Sequence, residues 1–124
     1  MTDLKINQCP KIHEIFCNNN NLRYLPSLQK FKNLKKLHCY KNKNLNLVVC
    51  KGLKYLKELT AQECSLENVN FEDCENLRIL DLAENKLTRI NIRDCKNLQE
   101  FSCRDNYLWD IDLNNNHQLT DLFC

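Results

Sequence analysis

A chain of 124 residues with 43% apolar residues, 27% charged residues and a single glycine can build one continuous core but not a second one. The lone glycine excludes a glycine-rich phosphate loop, and no apolar run approaches the roughly 18 residues that a membrane-spanning helix needs. The net charge of +2 hides a segregation: residues 1–62 hold 12 Lys or Arg against 3 Asp or Glu (net +9), and residues 63–124 hold 6 against 13 (net −7).

The opening residues, MTDLKINQCP, lack the apolar run of a signal peptide. Leu4, Ile6 and Cys9 have the spacing of the second half of a unit that then recurs along the chain. Whole units begin at Ile12, Leu34, Leu56, Leu77 and Leu98, and a last fragment begins at Leu119. The first two units have 22 residues, with the extra residue near Pro26 and Ser27 in one and near Lys43 and Asn44 in the other; the rest have 21. The reading is a single domain, 1–124: five repeats starting at 12, 34, 56, 77 and 98, with partial repeats 1–11 and 119–124.

Counting from the first apolar residue, position 4 is Ile15, Leu37, Leu59, Leu80, Phe101 and Leu122, and position 6 is Cys17, Cys39, Ala61, Leu82, Cys103 and Cys124. Position 9 runs Asn20, Asn42, Cys64, Asn85, Asn106, and position 11 runs Leu22, Leu45, Leu66, Leu87, Leu108. Alternation around positions 3 to 7 is the period of a strand. Return segments of constant length then force successive strands to lie parallel and in register, about 4.8 Å apart. Asn at position 9 sits where the chain leaves the strand, and its amide can satisfy buried backbone groups there. Cys64 takes the same slot as a small, weak donor.

The strings LKKLHCYKN, LKELTAQEC, LRILDLAEN and LQEFSCRDN resemble the defining segment of leucine-rich repeat proteins, and the likeness runs over almost the whole chain. The short unit is similar to bacterial-type repeats, and LRYLPSLQKFKNLKKL resembles the 22-residue type. Cys often replaces the usual third leucine, and no cap is recognisable at either end. The resemblance implies an α/β-type repeat solenoid, with a parallel β-sheet on the concave face and an irregular, short-strand or 3-10 convex side.

All nine cysteines obey the repeat: Cys17, Cys39, Cys103 and Cys124 at position 6, Cys9, Cys74 and Cys95 at position 19, Cys50 at position 16 and Cys64 in the Asn slot. There is no C-x-x-C pair and no N-x-S/T acceptor. They read as small core residues kept as free thiols in a reducing compartment, with no metal site and no cofactor. Parallel side chains on adjacent rungs suit disulfide geometry poorly.

Catalysis finds no support: His13, His38 and His117 lie on different rungs or loops, and the carboxylates Asp81, Glu84, Glu100 and Asp105 read as solvated charges. The expected site is the outward strand face, which the resemblance makes the partner-binding surface. Its candidates are Phe16, Asn18, Lys36, His38, Tyr40, Thr60, Gln62, Asp81, Ser102 and Arg104, to which Tyr107 and Trp109 are added at the edge of the coil. The preferred reading of Trp109 is that its indole folds over the neighbouring rung and shields the core; that of Phe123, on the last rung, is packing at the end of the coil.

The expected function is a non-enzymatic, cytoplasmic module that binds a protein partner. The alternative is a structural component, such as a capsid-associated protein of a virus particle, that docks on copies of itself head to tail or on neighbouring subunits. Charge segregation and the absence of caps motivate it. The Lys-, Asn- and Cys-rich composition fits an AT-rich genome such as that of a large DNA virus or a protist. Nucleic acid is disfavoured because the acidic half would repel phosphates, and no membrane role is expected.

Overall fold

A computed structural model describes residues 1–124 as a coil of stacked rungs. Eight strands of three residues each carry it: β1 (Glu14–Phe16), β2 (Lys36–His38), β3 (Leu47–Val49), β4 (Glu58–Thr60), β5 (Asn68–Asn70), β6 (Ile79–Asp81), β7 (Glu100–Ser102) and β8 (Asp121–Phe123). Six of them form one parallel sheet in the order β1-β2-β4-β6-β7-β8, and β3 pairs with β5 on the return side. The register is that of the repeat: Ile15, Leu37, Leu59, Leu80, Phe101 and Leu122 follow one another as strand partners.

No α-helix forms, which corrects the α/β expectation. The only helical element is a 3-10 turn, Leu28–Lys30, just after the extra residue of the first unit. The physical reason is length. A 21-residue circuit that already holds a strand and two turns leaves the return segment too few residues for a stable helix.

Positions 1, 4, 6 and 11 point inward in every complete rung. Leu34, Leu37, Cys39 and Leu45 in the second rung, and Leu77, Leu80, Leu82 and Leu87 in the fourth, are all buried. Twenty-eight buried residues join in a single cluster along the coil. Each residue packs on its equivalents above and below, which is how a three-residue strand acquires a core.

The turn after the strand is the demanding place. Asn19, Lys41, Glu63, Glu84 and Asp105, all at position 8, adopt left-handed φ values between 53° and 57°. Such a conformation costs a non-glycine residue roughly 1–2 kcal/mol. It swings the chain inward, and the next residue repays the cost. Asn42 donates through Nδ2 to the carbonyls of Cys39 (2.8 Å) and of Cys17 one rung back (3.0 Å), while its Oδ1 accepts the Leu22 N–H at 3.0 Å. Asn85 does the same with Leu82, Ala61 and Leu66, and Asn106 with Cys103, Leu82 and Leu87.

Cys64 keeps only part of this, donating from Sγ to the Cys39 carbonyl at 3.4 Å. The inserted residue in the second unit explains why that suffices. It turns the Leu45 N–H onto the Asn42 carbonyl at 2.9 Å, so the third rung needs no side-chain acceptor at this point. Position 19 holds a second ladder: Cys74 donates to the Cys50 carbonyl at 3.1 Å, and Asn116 donates to the carbonyls of Ile92 and Cys95. On the outside, Asn76 and Asn97 reach the carbonyls of Lys54 and Glu75, each one rung back.

Burial sets the chemistry of the sulfurs. Desolvation, with a smaller push from neighbouring thiols and carboxylates, raises Cys17 and Cys103 to about 11 and Cys74 and Cys95 to about 12, from an ordinary 9.0. Cys39 and Cys50 lie well above the ordinary value for the same reason, and Cys64 is raised. These thiols are poor nucleophiles and poor metal ligands while folded.

Two outcomes test this account. Asn85→Ala leaves the Leu66 N–H and the Ala61 carbonyl without a partner, while the Leu82 carbonyl keeps Asn106. It should lower stability by about 2–6 kcal/mol in urea unfolding, at roughly 1–3 kcal/mol for each of the two unpaired groups. Asn85→Cys should cost nearly as much, because Leu66, unlike Leu45, has no backbone acceptor for its N–H. A harmless Asn85→Ala would refute the ladder. The second outcome concerns pH. Folded thiols hold their protons above the range where unfolded ones lose them, so stability is fully present below about pH 9 and falls as pH rises from 9 towards 12. Thermal melts across that window should show the fall, and Cys95→Ala should make it shallower.

Candidate functional site

The strands present positions 3 and 5 outward, and the residue at position 7 continues each line. Position 5 reads Phe16, His38, Thr60, Asp81, Ser102 and Phe123 across the six-stranded sheet, each paired in register with the next. Bulk is unevenly distributed along it. Aromatic rings stand at one end and at the other, and three small side chains lie between them.

At the first end, Phe16 is 56% exposed and meets the His38 imidazole edge to face, with ring centroids 4.8 Å apart. His38 in turn places Nε2 at 2.8 Å from Glu58 Oε1. Lys36 stands between Glu14 (3.7 Å) and Glu58 (4.0 Å). Two further pairs join the basic second rung to the acidic third, Lys41 to Glu63 at 3.6 Å and Lys51 to Glu72 at 2.8 Å. The boundary between the two charged halves is therefore stitched by ion pairs from rung to rung. Exposed pairs of this kind are worth only about 0–1 kcal/mol each.

Towards the other end the face dips. Thr60, Asp81 and Ser102 form the floor of a depression of about 290 Å³, walled by Ile79, Glu100, Arg104 and Phe123. Ala83, at position 7 of the fourth rung, is buried. Asp81 Oδ1 accepts the Ala83 N–H at 3.0 Å. Thr60 Oγ1 and Gln62 Oε1 are buried without a hydrogen-bond partner.

Of the residues expected to form the site, Phe16, Asn18, Lys36, His38, Tyr40, Thr60, Gln62, Asp81, Ser102 and Arg104 lie on this face. Phe16 and Arg104 are exposed, and the others are half-buried. Tyr107 and Trp109 do not join them. They stand on the loop that follows the fifth strand position, 66% and 91% exposed. Trp109 corrects the expectation of a shielding indole: it covers no rung, and it lines a separate depression beside Leu108, Ile111 and Leu113. Position 12 faces away from the core, so the ring stands in solvent at the rim of that largely apolar depression instead of closing over it. Phe123 also departs from expectation, since its ring is 50% exposed and forms a wall of the face depression.

Ile79, Glu100 and Phe123 complete the site but were not among the expected contacts. The signal was present in the repeat, because position 3 shares the face with position 5. What the sequence does not display is the dip that appears only when small side chains from three rungs become neighbours. No group of three or more His, Cys, Asp or Glu is arranged to hold a metal ion. No helix is long and apolar enough to cross a membrane.

No protein-family model matches the chain, and no curated protein matches it. Nine solved chains do. One is the functional domain of InlJ from Listeria monocytogenes, described as including a cysteine ladder. It is 22% identical, with a TM-score of 0.72 over 98% of this chain. The present chain spans 31% of the length of that structure. The in-register repeat, the parallel rungs and this likeness converge on one architecture: the protein folds as a leucine-rich repeat solenoid of about five turns.

Proposed function

We propose that the chain is a non-enzymatic recognition module that binds a protein partner through the outer face of its six-stranded sheet, in a reducing compartment such as the cytoplasm. The observation that carries this reading is the Phe16 ring, more than half exposed at the first end of a polar face and braced on His38. A rigid aromatic with polar neighbours concentrates interface energy, because it desolvates a large area at little entropic cost. Strand spacing of about 4.8 Å also presents one residue per rung at regular intervals, which suits an extended or folded protein surface.

Phe16→Ala with Tyr40→Ala should weaken partner capture from the source cells while shifting stability by no more than about 1 kcal/mol, the worth of an exposed aromatic contact. Lys54→Ala with Tyr55→Ala, on the return side, is the control and should capture normally. Loss of capture in the control alone would move the site to the return side.

Charge segregation supports a second reading, in which copies or neighbouring subunits of an assembled particle, for example a virus particle, meet basic half to acidic half. Sedimentation of the purified protein decides it. Growth into larger species at low salt that reverses at high salt is expected under this reading, since screening shortens the reach of surface charges. A monomer at every salt concentration would eliminate it.

A further inference from the structure

We infer that the depression between β4 and β8 receives the side chain of a lysine or arginine on the partner; this rests on the sheet face being a protein-binding surface. Three observations point to a cation.

The first is the contrast in how carboxylates on the face are partnered. Glu14, Glu58 and Glu63 each have a lysine or histidine within 4.0 Å. Asp81 and Glu100, which line the depression, and Asp121, the strand partner of Glu100, have no cation within that distance. Asp81 commits only Oδ1, to the Ala83 N–H, and Asp121 meets only the Thr120 hydroxyl, at 2.8 Å. Arg104 is the single cation lining the depression and is itself exposed, so the two carboxylates that line it stand against one guanidinium.

The second observation is that the walls are apolar and the floor is polar. Ile79 and Phe123 can take the methylene stem of a long side chain, and the Phe123 face can take a cation at close range. The third is Thr60 Oγ1, buried at the floor with no partner. Rotated about its Cα–Cβ bond towards the depression, it can accept from an ammonium or guanidinium N–H that also reaches Asp81. An aliphatic side chain in the same place would strip water from Asp81 without replacing the lost bonds and would leave Thr60 Oγ1 without a partner, and an acidic one would face like charge. Shape admits several residues, and charge with hydrogen bonding selects the basic ones.

The test uses the 15N-labelled full chain and small probes: N-acetyl-lysine methylamide, N-acetyl-arginine methylamide, the uncharged N-acetyl-norleucine methylamide and the acidic N-acetyl-glutamate methylamide. The basic probes should shift the amides of Asp81, Ala83, Ser102 and Phe123. Norleucine should bind more weakly by about tenfold, the worth of a charge-assisted contact. Asp81→Asn with Glu100→Gln should weaken the basic probes to a similar degree; the asparagine keeps the acceptor for the Ala83 N–H, and the melting temperature should hold. Glu67→Gln with Glu75→Gln makes the same charge change outside the depression and should leave binding unaltered.

Equal binding of norleucine, preferential binding of the glutamate probe, indifference to the Asp81/Glu100 change, or no shift with either basic probe would each overturn the inference. None of these touches the capture experiment with Phe16 and Tyr40, so the two proposals fail separately. Partner capture lost in the aromatic variant, with no basic selectivity here, would leave a binding face that reads something other than a cation.

Discussion

Each rung of this coil has to carry its backbone through the interior where the chain leaves the sheet, and a buried amide or carbonyl left unpaired there costs about 1–3 kcal/mol. The asparagine at position 9 meets that constraint. One side chain serves three backbone groups on two rungs, as Asn42, Asn85 and Asn106 do, so it closes the turn and fastens the rung to the one before. Everything else follows from it. The left-handed residue at position 8 is tolerable because the next residue is anchored, the strands are held in register because the turns are, and the leucines stack because the strands are in register.

The same constraint explains the exceptions. Cysteine replaces asparagine at Cys64 where an inserted residue has already satisfied the Leu45 N–H, and cysteine or asparagine recurs at position 19 where the return segment also turns inward. Sulfur is thus used in this chain as a small apolar filler that can still give one weak hydrogen bond to a carbonyl. Burial keeps seven of the nine thiols protonated and chemically quiet, whereas Cys9 and Cys124, near the two ends of the coil, are exposed and do not fill the core as their repeat positions led one to expect.

The outward face of the sheet is divided. Near the first strands, acids and bases neutralise one another across rungs, and the aromatic ring of Phe16 dominates the surface. Near the last strands the carboxylates are unpaired and surround a dip. One sheet therefore offers two chemically different contacts, an aromatic platform and an acidic recess, roughly the width of four strands apart in the rigid spacing of a parallel sheet.

The amino-acid sequence by itself determined the unit, its boundaries, the inward columns, the strand at positions 3 to 5 and the ten face residues, because a one-dimensional repeat converts spacing directly into position. Burial of Leu37, Leu59 and Leu80 is legible from period alone. Only the tertiary structure decided the rest: that no helix forms on the return side, that the Trp109 indole stands free, that Phe123 walls a recess, and which carboxylates find a cation. Those outcomes depend on side chains one rung apart, about twenty residues distant in the chain. Their relative sizes and reach are settled by packing in space, not by order along the backbone.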